Sequence, residues 1–486
     1  MHPYTADPPS HVGSFAAAAF AARHHSMFTQ TAYRISIAAP SSGSAATRLA
    51  RAWLTLGVAA LIGSGLLAVL LVFARTPGLQ QFLPSRDFFR SALVVHVDLS
   101  VFVWFMAFAA VIWSVAGSAR LALLGWAGVV LAFAGTVVMT VSPLFPDTRP
   151  LLNNYIPMLQ QPVFYVGLSL AGAGFALAVI RALLTISPQV GAGNTAMGTS
   201  ATGESALRLG AFLSALAGAF AMVSVGVSLM GVPDAEGQAY WEMVYWGGGH
   251  VLQFQHVLLV VVAWFWLATE LDAPPLVSAR AAQALFIFAA LPLLAVPVIY
   301  SYWPVGSPFH MVYFAKLMEV GHPLTVPLMV FAAGSLWQVR RVVSPAKSAF
   351  MASMLLFGVG GALAYMIKGV NVVIPAHYHG SIVGVTLAFM GLAYVLLPKL
   401  GFGAAEGKMA RWQPYVYGGG QLIHILGLAW SGGYGVQRKV AGAEQVLTSL
   451  PQKIGMGMMG LGGLIAIIGG VMFVLVCLKA MSKRTD

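Results

Sequence analysis

Apolar runs long enough to cross a bilayer recur along this chain from near residue 50 to near residue 480. A span needs roughly 18 or more such residues in a row. About twelve runs can be counted, at 50–74, 88–116, 121–143, 156–183, 205–231, 239–268, 278–303, 309–338, 349–371, 375–398, 411–432 and 455–480. Of the 486 residues, 59% are hydrophobic and 8% are charged, where a soluble domain carries about 25% charge. Only helices and closed barrels span a bilayer, because no water is there to satisfy exposed peptide groups. Runs of this length are helices, so the fold class is an all-α polytopic membrane protein with about twelve transmembrane helices. Residues 49–482 are expected to form a single membrane domain. Residues 1–48, rich in Ala, Ser and His and nearly free of acid, read as a disordered N-terminal tail.

The net charge of +12 follows topology. With twelve spans and the N-terminus inside, 17 Lys and Arg fall on the inner side and 7 on the outer side, a positive-inside bias. The basic balance therefore calls for a lipid bilayer and no nucleic acid. It also predicts cytoplasmic termini. Cys477 is the only cysteine, which excludes a disulfide framework and a Cys-based metal site within the chain. A Gly/Ser/Thr-rich linker, 187–205, is the longest polar connector.

Twelve histidines are present. His2, His11, His24 and His25 fall in the expected tail. His96, His250, His256, His310, His322, His377, His379 and His424 fall in or beside apolar spans, where ionisable groups are costly and usually functional. His377 and His379 open a span in IPAHYHGSIVGVTLAFMGLAYVLLP. Positions i and i+2 of an α-helix point about 200° apart. One helix start thus offers an imidazole to each of two groups on its opposite sides, the arrangement two neighbouring haems need. Under the topology above, His96, His250, His377 and His379 all lie in the outer part of the membrane. A shared layer of imidazoles suits haem ligation, since low-spin iron takes two axial ligands. Taken alone, each histidine could instead be a neutral ring bonded between helices.

On these residues the chain resembles the catalytic subunit of the haem-copper oxidase superfamily, which includes cytochrome oxidases and bacterial nitric oxide reductases. The likeness covers roughly residues 50–480 and implies that family's twelve-helix subunit I arrangement. RSALVVHVDLSVFVWFMAFAAVIW resembles the family's second helix, which makes His96 a ligand of a low-spin haem. AHYHGSIVGVTLAFMG resembles its tenth helix, so that His377 would hold a high-spin haem and His379 the low-spin haem opposite His96. HILGLAWSGGYGVQRKV resembles the eleventh-helix segment, and Arg438 and Lys439 would pair with haem propionates. VYWGGGHVLQFQH resembles the sixth helix, where His250 would bind a second metal.

The pattern breaks at that second metal. Ser301 and Tyr302 stand where the family carries two adjacent histidines, and Phe254 stands where several branches carry a tyrosine. Tyr300 or Tyr302 could replace that tyrosine. His310, Glu319 and His322 are further candidate ligands, and Lys316 with Glu319 a candidate proton path. Glu319 and His322 form Glu-x-x-His, a spacing that serves non-haem metals in helix bundles. A carboxylate there favours iron over copper and resembles nitric oxide reductases.

The resemblance implies a respiratory terminal reductase with a low-spin haem, a high-spin haem and a second metal, copper or non-haem iron. It reduces dioxygen to water or, alternatively, nitric oxide to nitrous oxide. His377, His250, Tyr302 and Glu319 are its expected catalytic residues. An electron-donating partner subunit carrying haem c, copper or a quinol site is implied as well. A different class is a non-catalytic haem subunit that conducts electrons and lacks the second metal. A third is a transporter, in which midplane ionisable groups and broken helices mark a substrate path.

Overall fold

The computed structural model describes residues 32–39, 43–79, 86–190 and 202–483. Eleven helices are long and apolar enough to cross a membrane. We number the membrane helices α1 Ala45–Arg75, α2 Phe89–Ala116, α3 Ala122–Leu144, α4 Pro162–Thr185, α5 Gly203–Gly231, α6 Gly237–Glu270, α7 Ala279–Tyr302, α8 Pro308–Gln338, α9 Pro345–Ala364, α10 Val373–Lys399 and α12 Leu450–Met481. The twelfth member, α11 Gly407–Gly433, carries Gln413, Gln421 and His424 and is correspondingly less apolar. The chain is an all-α polytopic membrane protein, and the twelve expected runs each correspond to one helix. A short antiparallel pair, β1 Arg149–Leu151 and β2 Met158–Gln160, links α3 to α4.

Three helices form the inside of the bundle. In α2, α6 and α10, 83% of the most apolar stretch is buried, against 28–44% in the other candidate spans. The outer helices turn apolar side chains such as Leu123, Val330 and Leu461 outward, where lipid solvates them. The three inner helices carry His96, His250, His256, His377 and His379. Two outer helices are broken by proline. A 3₁₀ turn at Leu291–Leu294 interrupts α7 around Pro292, and one at His322–Thr325 interrupts α8 around Pro323. Proline lacks the N–H that continues a helix and clashes with the preceding turn.

The N-terminal expectation needs correction over part of its length. Most of residues 1–48, including His2, His11, His24 and His25, and the middle of the 187–205 linker lie outside the described residues. Residues 32–39, however, dock on the bundle. The Tyr33 side chain is fully buried, its hydroxyl donates to the Val277 carbonyl at 2.6 Å, and its N–H donates to Thr269 Oγ1 at 3.0 Å.

Candidate functional site

A cavity of about 2040 Å³ opens between α1, α2, α6, α8, α10, α11 and α12. Ordinary small-molecule pockets hold about 300–1,000 Å³, so this one suits something larger or more than one occupant. Its walls are mostly apolar, and His96, His256, His322, His377, His379 and His424 line it.

Glycine packing sets the ring positions. Gly360 of α9 and Gly380 of α10 touch backbone to backbone, with a Cβ on Gly380 only 2.6 Å from Gly360 Cα. That approach brings the Gly360 carbonyl to 2.7 Å from His377 Nδ1. A carbonyl can only accept, so Nδ1 carries the proton and the lone pair sits on Nε2. His96 is fixed the same way, with Nδ1 2.9 Å from the Ser64 carbonyl of α1. Ser64 Oγ lies 3.0 Å from that nitrogen and also donates to the His96 carbonyl at 3.2 Å. An imidazole whose far nitrogen is held by a carbonyl is the usual form of a metal-ligating histidine. His379 lies beside them, its ring 5.1 Å from that of His424 and 5.3 Å from that of Tyr378.

Just after His96 the helix widens into a π-helical turn, Asp98–Val103. Such turns shift the register of the residues beyond them and recur at functional sites. Asp98 lines the cavity, is 1% exposed, and among the described residues neither carboxylate oxygen has a hydrogen-bond partner.

Cations gather at one edge of the cavity. Arg438 donates to Asn154 Oδ1 at 2.8 Å, and Lys439 Nζ donates to the Leu152 carbonyl. Burial, then the neighbouring Arg438, pushes the Lys439 amine down to about 8. Arg75, at the end of α1, also lines the cavity, and among the described residues its Nε and Nη2, like Arg438 Nε, have no partner. Unpartnered buried guanidinium nitrogens are costly and mark a place for an anion. In the sequence Arg75 is only one of the outer-side charges.

These residues fit haem. The cavity has the apolar bulk, the anchored imidazoles and the cationic edge that a metalloporphyrin with carboxylate tails requires. They do not fit a second metal. Among the described residues no three His, Cys, Asp or Glu side chains stand together as an ion site. His250 is 3% exposed and lies outside the cavity lining. Its Nδ1 donates to the Trp246 carbonyl at 2.7 Å, and Tyr155 Oη stands 2.9 Å from Nε2. The cause is the glycine run before it. Gly247, Gly248 and Gly249 leave a gap, and the Tyr155 ring fills the place of a Gly249 side chain. Burial raises the Tyr155 hydroxyl well above the usual phenol range, so it remains a donor.

The remaining expected second-metal ligands have other neighbours. His310 is fully buried between the Tyr300 and Phe314 rings, at 5.3 and 5.0 Å, and is absent from the cavity lining. Glu319 lines the cavity but is bound by Lys316 at 2.7 Å, both side chains being more than half exposed. His322 lines the cavity against Phe254 at 4.6 Å, with Nε2 unpartnered. Tyr302 is misassigned as a catalytic residue: it is 74% exposed, on the outside of α7. Tyr300, two residues earlier, points inward and bonds Ser228 Oγ at 2.8 Å and the Ser224 carbonyl at 3.0 Å.

Removing the Tyr155 hydroxyl tests the reading of His250. Tyr155→Phe leaves Nε2 of a buried histidine unsatisfied, which costs about 1–3 kcal/mol. Thermal unfolding should show that loss with haem and metal content unchanged. A loss of bound metal in this variant would restore His250 as a ligand.

Twelve membrane helices round an imidazole-lined cavity define a class, the polytopic all-α membrane proteins with a large interhelical cavity. Within it, the chain belongs to the Cytochrome C and Quinol oxidase polypeptide I family, which it matches over residues 48–472. It is therefore a terminal-oxidase-like subunit of an oxidoreductase family whose members work with other subunits in lipid. It is 30% identical to an uncharacterised protein of Rickettsia prowazekii (strain Madrid E), over 89% of this chain and 96% of that protein. An uncharacterised protein of Aquifex aeolicus (strain VF5) is 27% identical, over 75% and 88% of the two chains. The fold is that of a haem-copper terminal oxidase solved as a dimer by cryo-EM. The TM-score is 0.69 at 16% identity, covering 91% of this chain and 85% of that one.

Proposed function

We propose that this chain is the catalytic subunit of a membrane-bound respiratory reductase acting on dioxygen. His96 and His379 would hold a low-spin haem, and His377 a high-spin haem at which the gas binds. The haems supply the one-electron and gas-binding chemistry. The chain's own residues fix ligand rings, charge and access. Ser64 and Gly360 carbonyls hold the Nδ1 protons of His96 and His377, which leaves each Nε2 as the donor nitrogen. Arg438, Lys439 and Arg75 would pair with the haem carboxylates at the cavity edge. The apolar walls keep bulk water away, so those charge pairs act in a low dielectric. Glu319 and His322 line the same cavity and would deliver protons there. The observation that carries this reading is the set of carbonyl-anchored imidazoles around one cavity.

An electron-donating partner subunit carrying haem c, copper or a quinol site, cytoplasmic termini and a prokaryotic inner membrane belong to the same proposal. A second reading is a haem subunit that conducts electrons without gas turnover. The Tyr155 hydroxyl against His250 and the Lys316 pairing of Glu319 favour it. Haem and metal quantification, with turnover assays on dioxygen and on nitric oxide, separates these. Two haems per chain, no copper and dioxygen consumption are expected. Turnover of nitric oxide alone would change the substrate, absence of both activities would favour the conduit, and absence of haem would overturn both readings.

Lys439 gives the cavity edge a pH dependence. A folded value of about 8, against 10.5 for an ordinary lysine, means the folded chain gives up this proton first. Between those values the unfolded chain binds more protons, so Lys439 adds stability as pH rises through the window. Anion binding runs the other way, because the ammonium is present only below about 8. Haem affinity should therefore weaken as pH rises through 8, and Lys439→Met should flatten that dependence in haem-titration experiments.

A further inference from the structure

The cavity is lined by three imidazoles that the proposed haems do not use, those of His256, His322 and His424. His424 sits on α11 where that helix presses against α12, with glycine at the contact. A side chain on Gly462 would strike the His424 backbone, and one on Gly463 would come within 3.3 Å of His424 Nδ1. In that narrow seam His424 Nδ1 lies 2.9 Å from the Met459 carbonyl. The carbonyl accepts, so Nδ1 carries the proton and Nε2 keeps the lone pair. This is the anchoring found at His96 and His377. His379 lacks it: among the described residues no hydrogen bond reaches its ring, which rests between Tyr378 and His424. Both rings line the cavity that His96 lines, and their centroids are 5.1 Å apart.

We propose that His424 is a haem ligand, able to take the axial position opposite His96 that is otherwise filled by His379. The proposal rests on the haem reading above. Its chemistry is simple exchange: one neutral imidazole Nε2 leaves iron and another binds, with no net transfer of electrons or protons. The preformed Nδ1–H to carbonyl bond fixes the tautomer needed for ligation and raises ligand basicity. His379 must find an acceptor for its own ring proton, and His424 Nε2 is the open acceptor beside it when His379 is the ligand.

The test uses the full chain purified from a haem-replete host, read by EPR, optical spectra and haem content. His379→Ala should retain the low-spin, bis-imidazole signal, with shifted g-values. His379→Ala combined with His424→Ala should lose that signal. Should the alanine variant fail to accumulate, His379→Phe fills the space and tests the same point. A single His379 variant that is folded but five-coordinate, or that has lost the low-spin haem, would overturn the proposal. Wild-type protein without any haem would instead overturn the functional reading on which it rests.

Discussion

Replacing His377 by alanine is expected to abolish turnover and gas binding while the low-spin haem bands stay in place. His377 is held by the Gly360 carbonyl of α9, whereas His96 is held by Ser64 of α1, so the two rings are fixed by separate contacts. On α10, His377 and His379 point about 200° apart, and loss of one ring leaves the other's surroundings intact. On the proposed assignment His377 would hold the gas-binding haem, and its loss would remove the place where the gas binds. Turnover should fall at least about 10³-fold, equivalent to about 4 kcal/mol of barrier. Reduced-minus-oxidised spectra should keep the low-spin component, and carbon monoxide should no longer perturb the Soret band. If activity and the carbon monoxide spectrum survived in His377→Ala, the division of labour between the two α10 histidines would be wrong.

The same helix shows what a sequence can and cannot reveal. Apolar length alone locates the membrane helices, because a bilayer leaves the backbone almost no other way to satisfy itself. Spacing places His377 and His379 on opposite faces, and the cavity takes both. His96, singled out by its depth in α2, lines the same cavity. The surroundings of the expected second-metal residues are set by contacts that lie off the helix. Nothing in YWGGGH says that Tyr155, from the β1–β2 link, will lie in the groove those glycines leave and occupy His250. Tyr300 and Tyr302 are indistinguishable as letters. The Pro292 turn sets the phase of the rest of α7, and two residues of helix then separate an inward hydroxyl from one that is 74% exposed. His424 is visible as a histidine in an apolar run, but its role depends on Gly462 and Gly463 of a different helix. Local periodicity carries the faces of one helix. It does not carry which neighbour or loop meets each face.

His96→Ala should remove the low-spin haem and leave the high-spin haem bound. His96 and the pair His379–His424 reach the cavity from α2 on one hand and from α10 and α11 on the other. Loss of either the α10 or the α11 imidazole leaves a substitute 5.1 Å away. The His96 ring itself is held by Ser64. An alanine there leaves iron with imidazole on one side only, and a six-coordinate low-spin state cannot form. Electrons then lack their route to the high-spin site, so donor-driven turnover should drop at least about 10²-fold, or about 2.7 kcal/mol in barrier terms. Gas binding by chemically reduced protein should persist, because His377 and its Gly360 anchor are untouched. That split, electron supply lost and gas binding kept, is what a two-haem relay requires. Loss of both together would mean that His96 supports the bundle as a whole, and full retention of the low-spin EPR signal would remove His96 from the ligand set.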